Sequence, residues 1–502
     1  LVVEFTVVSL FIAKGEKMKG FRFLTVLVAA VMMITLIGSP SSRVLAGGSL
    51  VVTSVNEGSD ATPGDGLCAT ATGSCTLRAA MEESNAYAGA SAISFNLPGV
   101  GVHSISITSG PLPVITETLT IDGASQPNCN VPCIVISGAS LPGPGNSGFV
   151  LASNDNVIQG FIITSWSFDG IDIQGDGNII QQNAIGFWPG NPAALPNAYG
   201  IEIRGSNNLI GGSGVAARNF ISGNTYNGIA ISRSGGPSAS NRIQGNYIGT
   251  NKSGAGAKPN GNSGIIIYPD SSFTLIGGSL PSLRNVISGN GWRGIDSAAP
   301  SIRIQGNYIG TTAAGNAPLP NSLGGLYFDG GRAVVGGGVG ANSNVIAFNG
   351  GTGVIVFGST THVNIRRNSI YSNAGMGIDL GNNGVTANDS QDPDAGPNGY
   401  QNYQFISGAA SATSTLTVRF QSKISQTYKL DFYSSPAGTC DPSAHGEGKR
   451  WLGFTTMTTN ATGAWTGSVI TAFPFSAGQV ITGTATDSLG NTSEFSTCRV
   501  AS

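Results

Sequence analysis

From about residue 150 to 380 the chain repeats itself. Arg-Ile-Gln-Gly-Asn-Tyr-Ile-Gly-Thr runs from Arg242 to Thr250 and returns from Arg303 to Thr311, an offset of 61 residues. Arg-Asn-Phe-Ile-Ser-Gly-Asn (Arg218 to Asn224) returns at Arg284 to Asn290 and, loosely, at Ser343 to Asn349, offsets of 66 and 59. A shorter phrase, Gly followed by apolar-x-apolar, occurs twice in each such unit. Its central residues are Asp172, Glu202, Ala230, Ile266, Asp296, Tyr327, Ile355 and Asp379, spaced 24 to 36 residues apart. The elementary unit is therefore about 30 residues long, and a period of that size marks units that bury their apolar faces by stacking.

Each unit holds three short β-type runs broken by Gly, Asn and Ser, such as Leu326-Tyr327-Phe328, Ala333-Val334-Val335 and Asn344-Val345-Ile346. The runs are too short for helices and alternate with period two. Asparagine recurs at the corners (Asn183, Asn246, Asn307, Asn368; Asn224, Asn290, Asn349). It suits a left-handed backbone, and stacked asparagines can bond to one another along an axis. Three strands per turn with asparagine corners predict an all-β, right-handed parallel β-helix. Propeller blades need a longer period of four strands, and a leucine-rich repeat would show its leucines. The 75 glycines in 502 residues follow no collagen period, and a 40% hydrophobic content argues against disorder. With a formal charge of −2, the chain has no basic surplus for nucleic acid.

An open solenoid exposes strand edges, so its ends need closing. At the front, Cys75-Thr76-Leu77-Arg78-Ala79-Ala80-Met81-Glu82-Glu83-Ser84-Asn85-Ala86 reads as a helix capped by Ser74 or Thr76. At the rear, Leu416-x-Val418-x-Phe420, Tyr428-x-Leu430-x-Phe432 and the run from Val480 alternate strictly, which predicts a separate antiparallel β-sandwich. The expected divisions are a leader over 1–46, a cap and first turns over 47–150, β-helix over 151–402 and sandwich over 403–502. The leader reads as a secretory signal peptide: Lys14, Lys17, Lys19 and Arg22 precede the apolar run Phe23 to Ile37, with cleavage after Ala46. Met18 would start a leader of ordinary length, with 1–17 an upstream extension. The run is shorter than the ~20 residues of a membrane span. Subtracting the leader's five basic and two acidic residues from 24 and 26 leaves a mature charge near −5 and no membrane span.

Six cysteines fit an exported chain. Proximity in sequence favours Cys68 with Cys75, Cys129 with Cys133 and Cys440 with Cys498. The rival, a metal site, lacks a C-x-x-C, and only three histidines exist, His103, His362 and His445.

These phrases together resemble exported bacterial right-handed parallel β-helix repeat proteins. Cys75 to Ala86 resembles their CSLREA module, with Ala79 where the module name has Glu. The middle resembles their repeat, and Gly377 to Asn402 with Ala485 to Cys498 resembles the end of the helix and its trailing sandwich. The resemblance implies a secreted or cell-surface β-helix. Members with activities are polysaccharide lyases, hydrolases and epimerases.

Candidate chemistry sits on the Gly-apolar-x-apolar strands, whose middle side chains point outward. Asp172 and Glu202 are then neighbours at the ~5 Å separation a retaining glycosidase uses, and Arg204 lies two residues beyond on the same face. The plainer reading is a solvated face, because Ala230 and Ile266 follow. Trp166, Phe168, Phe187 and Trp188 could form a sugar-stacking platform or simply pack corners. Asp389, Asp392 and Asp394 lie in an oxygen-rich, Gly- and Pro-broken loop where calcium could bind, without EF-hand spacing. The expected partner is a polysaccharide or cell-surface glycan, bound by a scaffold that does no chemistry; the alternative is a polysaccharide lyase, hydrolase or epimerase.

Overall fold

The computed structural model describes residues 48–130, 132–190, 195–233, 236–337 and 342–502; the leader and its cleavage site at Ala46 lie outside them. Over these residues the repeats form a parallel β-helix. Three parallel sheets of 11, 10 and 9 strands (A, B and C) run along it, and the chain visits A, B and C in turn. One turn reads Val157–Gln159 in A, Phe161–Thr164 in B and Asp169–Ile173 in C. The interior is a column of aliphatic residues in register: on sheet A, Ile158, Ile180, Ile210, Ile243 and Ile276 lie on successive turns, all without solvent exposure. Each such side chain contributes about 1.5–3 kcal/mol relative to leaving it in water.

Asparagines line all three corners. Between A and B, Asn183, Asn219, Asn246, Asn285, Asn307, Asn344 and Asn368 each pass a side-chain amide N–H to the next Oδ1, at 2.9–3.2 Å. Between B and C a second column runs from Asn197 through Asn224, Asn260, Asn290, Asn321 and Asn349 to Asn373. A shorter one, Asn156, Asn178, Asn208 and Asn241, fills the corner between C and A. The backbone reason expected for these asparagines is overturned. None of the seven corner asparagines named from sequence has positive φ; the left-handed residue is the one before, such as Gln182 (φ 61°), Gly245 (75°), Gly289 (75°) and Arg367 (58°). Asparagine is needed at the corner for its amide, which satisfies backbone groups that the turn leaves unpaired in a buried place.

The front helix spans Leu77–Asn85, with Thr76 as its cap, accepting from Ala79 N. Leu77, Ala80 and Met81 join the same apolar core as the first strands. Arg78 pairs with Glu57. Burial opposes ionisation of Glu57, but Arg78 and the N–H groups of Thr108 and Ser109 outweigh it and pull its pKa to about 2.

From Phe405 onward the architecture becomes antiparallel. One sheet holds Phe405–Ala410, Thr415–Gln421 and Ala464–Ile470; the other holds Thr427–Ser435, Arg450–Thr458, Val480–Thr486 and Arg499–Val500. This sandwich has its own core around Leu416, Leu430, Phe432 and Ile481. It is not a detached module, however. Tyr433 and Phe495 pack into the core of the β-helix, Arg366 Nε lies 2.5 Å from Asp431 Oδ2, and Glu447 accepts the last amide N–H of the second asparagine column at 3.0 Å. The sandwich therefore closes the far end of the solenoid. The structure joins Cys68 to Cys75, Cys129 to Cys133 and Cys440 to Cys498, with Cα separations of 5.1, 5.9 and 6.1 Å. Among the described residues no helix is long and apolar enough to cross a membrane.

Candidate functional site

On the outside of sheet C the register puts Val150, Asp172, Glu202, Ala230, Ile266, Asp296, Tyr327, Ile355 and Asp379 in one row. Asp172 and Glu202 are adjacent, as the repeat requires. The glycine that opens each phrase changes the count. A Cβ on Gly170 would sit 2.8 Å from Asn197 Nδ2 and 2.9 Å from a methyl of Ile185, and one on Gly200 would meet Asn224 and Ile221 at similar distances. These glycines press against the corner column from inside, so two consecutive residues, Gly and the apolar one after it, face inward. The residue before the glycine is thereby turned outward. That adds Asp169, Tyr199 and Arg293 to the face, residues a strict two-residue alternation assigns to the interior.

The acids of this face are buried, not solvated. Asp169 and Glu202 are 0% exposed and Asp172 is 4% exposed. Arg233, from the turn after Ile229–Ile231, reaches back to place Nη2 2.9 Å from Asp169 Oδ1 and Nε 2.9 Å from Glu202 Oε2. Arg204 goes to Asp172, with Nη2 2.5 Å from Oδ2, where Gln174 Nε2 also donates at 2.9 Å. The Arg233 guanidinium lies 4.6 Å above the Phe168 ring and 4.0 Å above Tyr199. Tyr199 contacts Phe168 edge-on at 6.0 Å and Tyr226 at 4.9 Å, and Tyr226 is 44% exposed. The result is an aromatic shelf floored by ion pairs.

Three carboxylates share two guanidiniums. Burial pushes Asp169 up to about 7; Arg233 opposes the rise, and the charges of Asp172 and Glu202 add to it. One oxygen of Asp169 and one of Asp172 are buried without a hydrogen-bond partner. Burial works to lower the pKa of Arg233, but Asp169 and Glu202 prevail and raise it. Further along the same face a smaller group repeats the chemistry. Arg293 pairs with Asp296 at 2.8 Å and lies 3.8 Å over Tyr327, which stacks on Phe357 at 5.8 Å. Burial raises Asp296 despite Arg293.

Of the aromatic residues picked from sequence, only Phe168 joins this site. Trp166 is 1% exposed and fills the space that Gly138 and Gly148 leave open, so it packs a corner. Phe187 and Trp188 belong to a satellite cluster with Val135 and Ile162 on the outside of sheet B. In the 389–394 loop the Asp394 carboxyl lies within hydrogen-bonding reach of Asp389, while Asp392 turns away from both. Asp392 is 1% exposed and turns inward to accept from Gln401 Nε2 at 2.9 Å and Ser422 Oγ at 2.5 Å. Among the described residues no three acidic, His or Cys side chains have metal-binding geometry. His103 lies near Gln126, His362 on the last turn and His445 beside Phe495 in the sandwich, which forms no triad.

No protein-family model matches the chain, and no curated protein is detectably similar. Among solved structures it is similar to the enzymatically active domain of tailspike protein 2 of bacteriophage CBA120, at 12% identity and TM-score 0.28. That match covers 82% of this chain and 71% of the other. Full-length tailspike protein 2 from an Escherichia coli bacteriophage matches at 11% identity and TM-score 0.26, over 84% and 66%.

Proposed function

We propose that this chain is an exported β-helix scaffold, carrying a CSLREA-type front module, that binds glycans along the outside of sheet C. The observation that carries this reading is the shelf of Phe168, Tyr199 and Tyr226 over buried ion pairs. Aromatic faces receive the C–H faces of sugars, and rigid polar groups beside them fix orientation. Three disulfides fit an oxidising compartment outside the cytoplasm. The face favours neutral sugars over acidic ones: Arg204, Arg233 and Arg293 are each held by carboxylates, which outnumber them.

The catalytic alternative finds support in Asp169, whose pKa near 7 is the kind a general acid needs. Against it stands burial, since no reacting atom reaches Asp172 or Glu202 without displacing the arginines. The test is to titrate the chain with neutral and acidic oligosaccharides while assaying reducing and unsaturated ends. Saturable binding of neutral oligomers without turnover, weakened about tenfold by Tyr199→Ala, is expected. Turnover abolished by Asp172→Asn would replace binding with catalysis.

A further inference from the structure

A pocket of about 230 Å³ lies at the far end of sheet A, on a different face from the aromatic shelf. Ser301, Arg303, Arg332, Val334, His362, Asn364 and Leu489 are among the residues that line it. Sheet register explains the gathering. Arg303, Val334 and Asn364 are neighbours across three successive strands, and Arg332 stands opposite Ser301 two residues earlier. Both arginines therefore project from the same outward face on adjacent strands, ~4.8 Å apart in the stacking direction. His362 immediately precedes the strand Val363–Arg366, beside Arg332. The sandwich supplies the wall through the loop at Leu489 and Gly490.

The chemistry of this lining is one-sided. Among the described residues, Arg303 and Arg332 make no ion pair and no side-chain hydrogen bond, unlike the arginines of sheet C, and the Asn364 amide is also unpartnered. Thr361 Oγ lies 2.8 Å from His362 Nδ1, and with that hydroxyl donating, the ring's own proton sits on Nε2. No carboxylate lines the pocket. The nearest in sequence, Asp487, is occupied by Leu489 N, Asn491 N and Asn491 Nδ2. Two guanidiniums, which can only donate, together with an imidazole and an amide that can also donate, surround a small floor of Ile302, Ala333 and Val334.

We propose that this pocket binds a tetrahedral oxyanion, the sulfate or phosphate monoester of a decorated glycan or the free ion. Such a group offers several acceptor oxygens and a negative charge, and arginine forks match it in geometry. Its position at the seam between β-helix and sandwich means that an occupant would contact both.

Calorimetric titration of the intact chain with inorganic sulfate, inorganic phosphate and N-acetylglucosamine 6-sulfate, at constant ionic strength in chloride, tests this. One saturable site per chain is expected, weakened about tenfold or more in the double variant Arg303→Gln/Arg332→Gln. Arg242→Gln removes an unpaired arginine two turns away in the same row and is expected to leave binding unchanged. Tighter binding of the sulfated sugar than of inorganic sulfate identifies a glycan as the source, and equal binding identifies the free ion. Absence of saturable binding by a chain whose circular dichroism and thermal midpoint are normal overturns the proposal. So does equal weakening by Arg242→Gln, which would report only diffuse charge.

Discussion

Arg233 is the residue on which the sheet C face turns. It is clasped by Asp169 and Glu202 and roofed by Phe168 and Tyr199. Arg233→Ala takes the clasping guanidinium away from two buried carboxylates, and breaking a buried pair in this way costs about 3–5 kcal/mol. Arg204→Ala is milder, about 1 kcal/mol, because the Arg204 side chain is 31% exposed and water replaces it. Urea unfolding of the two variants checks this order. The pairing of Asp172 with Glu202 was legible in the sequence because both sit at the centre of the repeated phrase. Asp169 and Tyr199 were not, because their outward turn depends on glycines pressed against an asparagine column, a contact made by a neighbouring turn. Arg233 was invisible for a similar reason: it lies outside the phrase and reaches across two turns.

At the scale of elements, the asparagine columns do for the corners what backbone pairing does for the strands. Asn285 donates to Asn307 Oδ1, accepts from Asn246 and also donates to Ile243 O, all without solvent exposure. Asn285→Ala strands buried donors and acceptors above and below it, at about 1–3 kcal/mol per unmet group. Asn285→Asp keeps the acceptor for Asn246 and loses only the donor side, but it places a charge in a dry corner; it is expected to be no better tolerated at neutral pH. Thermal unfolding compares the two with Asn262→Ala, an asparagine outside the columns. The corner positions and the three-strand turn could be read from spacing alone. The reason for asparagine there could not, since backbone conformation and side-chain bonding predict the same residue.

Over the described residues the β-helix is closed at one end by a helix and at the other by a sandwich, and the second closure shares the pH response with Asp169 of sheet C. Burial pushes Glu447 and Glu494 up to about 7 against the backbone N–H groups of Ser372, Asn373, Leu380 and Thr386. The folded chain then keeps protons that the unfolded chain releases, so stability falls as pH rises from 4.5 to about 7. Glu57, held near 2, acts in the opposite sense only below its ordinary value of 4.5. The thermal midpoint is therefore expected to be higher at pH 5 than at pH 8, and Glu447→Gln with Glu494→Gln is expected to reduce the decline, leaving the part that Asp169 contributes. The sandwich itself was legible as alternating strands. Its fusion to the β-helix was not, because Tyr433, Glu447 and Phe495 look in sequence like ordinary sandwich residues.

The second column of amides runs one way, every N–H handed toward the sandwich, so its small dipoles add along the axis as they do in an α-helix. Glu447 receives the final one. Its Oε1 accepts from both the amide side chain and the backbone N–H of Asn373, so the relay ends on the sandwich. The same side chain that docks the sandwich thus takes the seat a further asparagine would fill, and the series ends inside the chain.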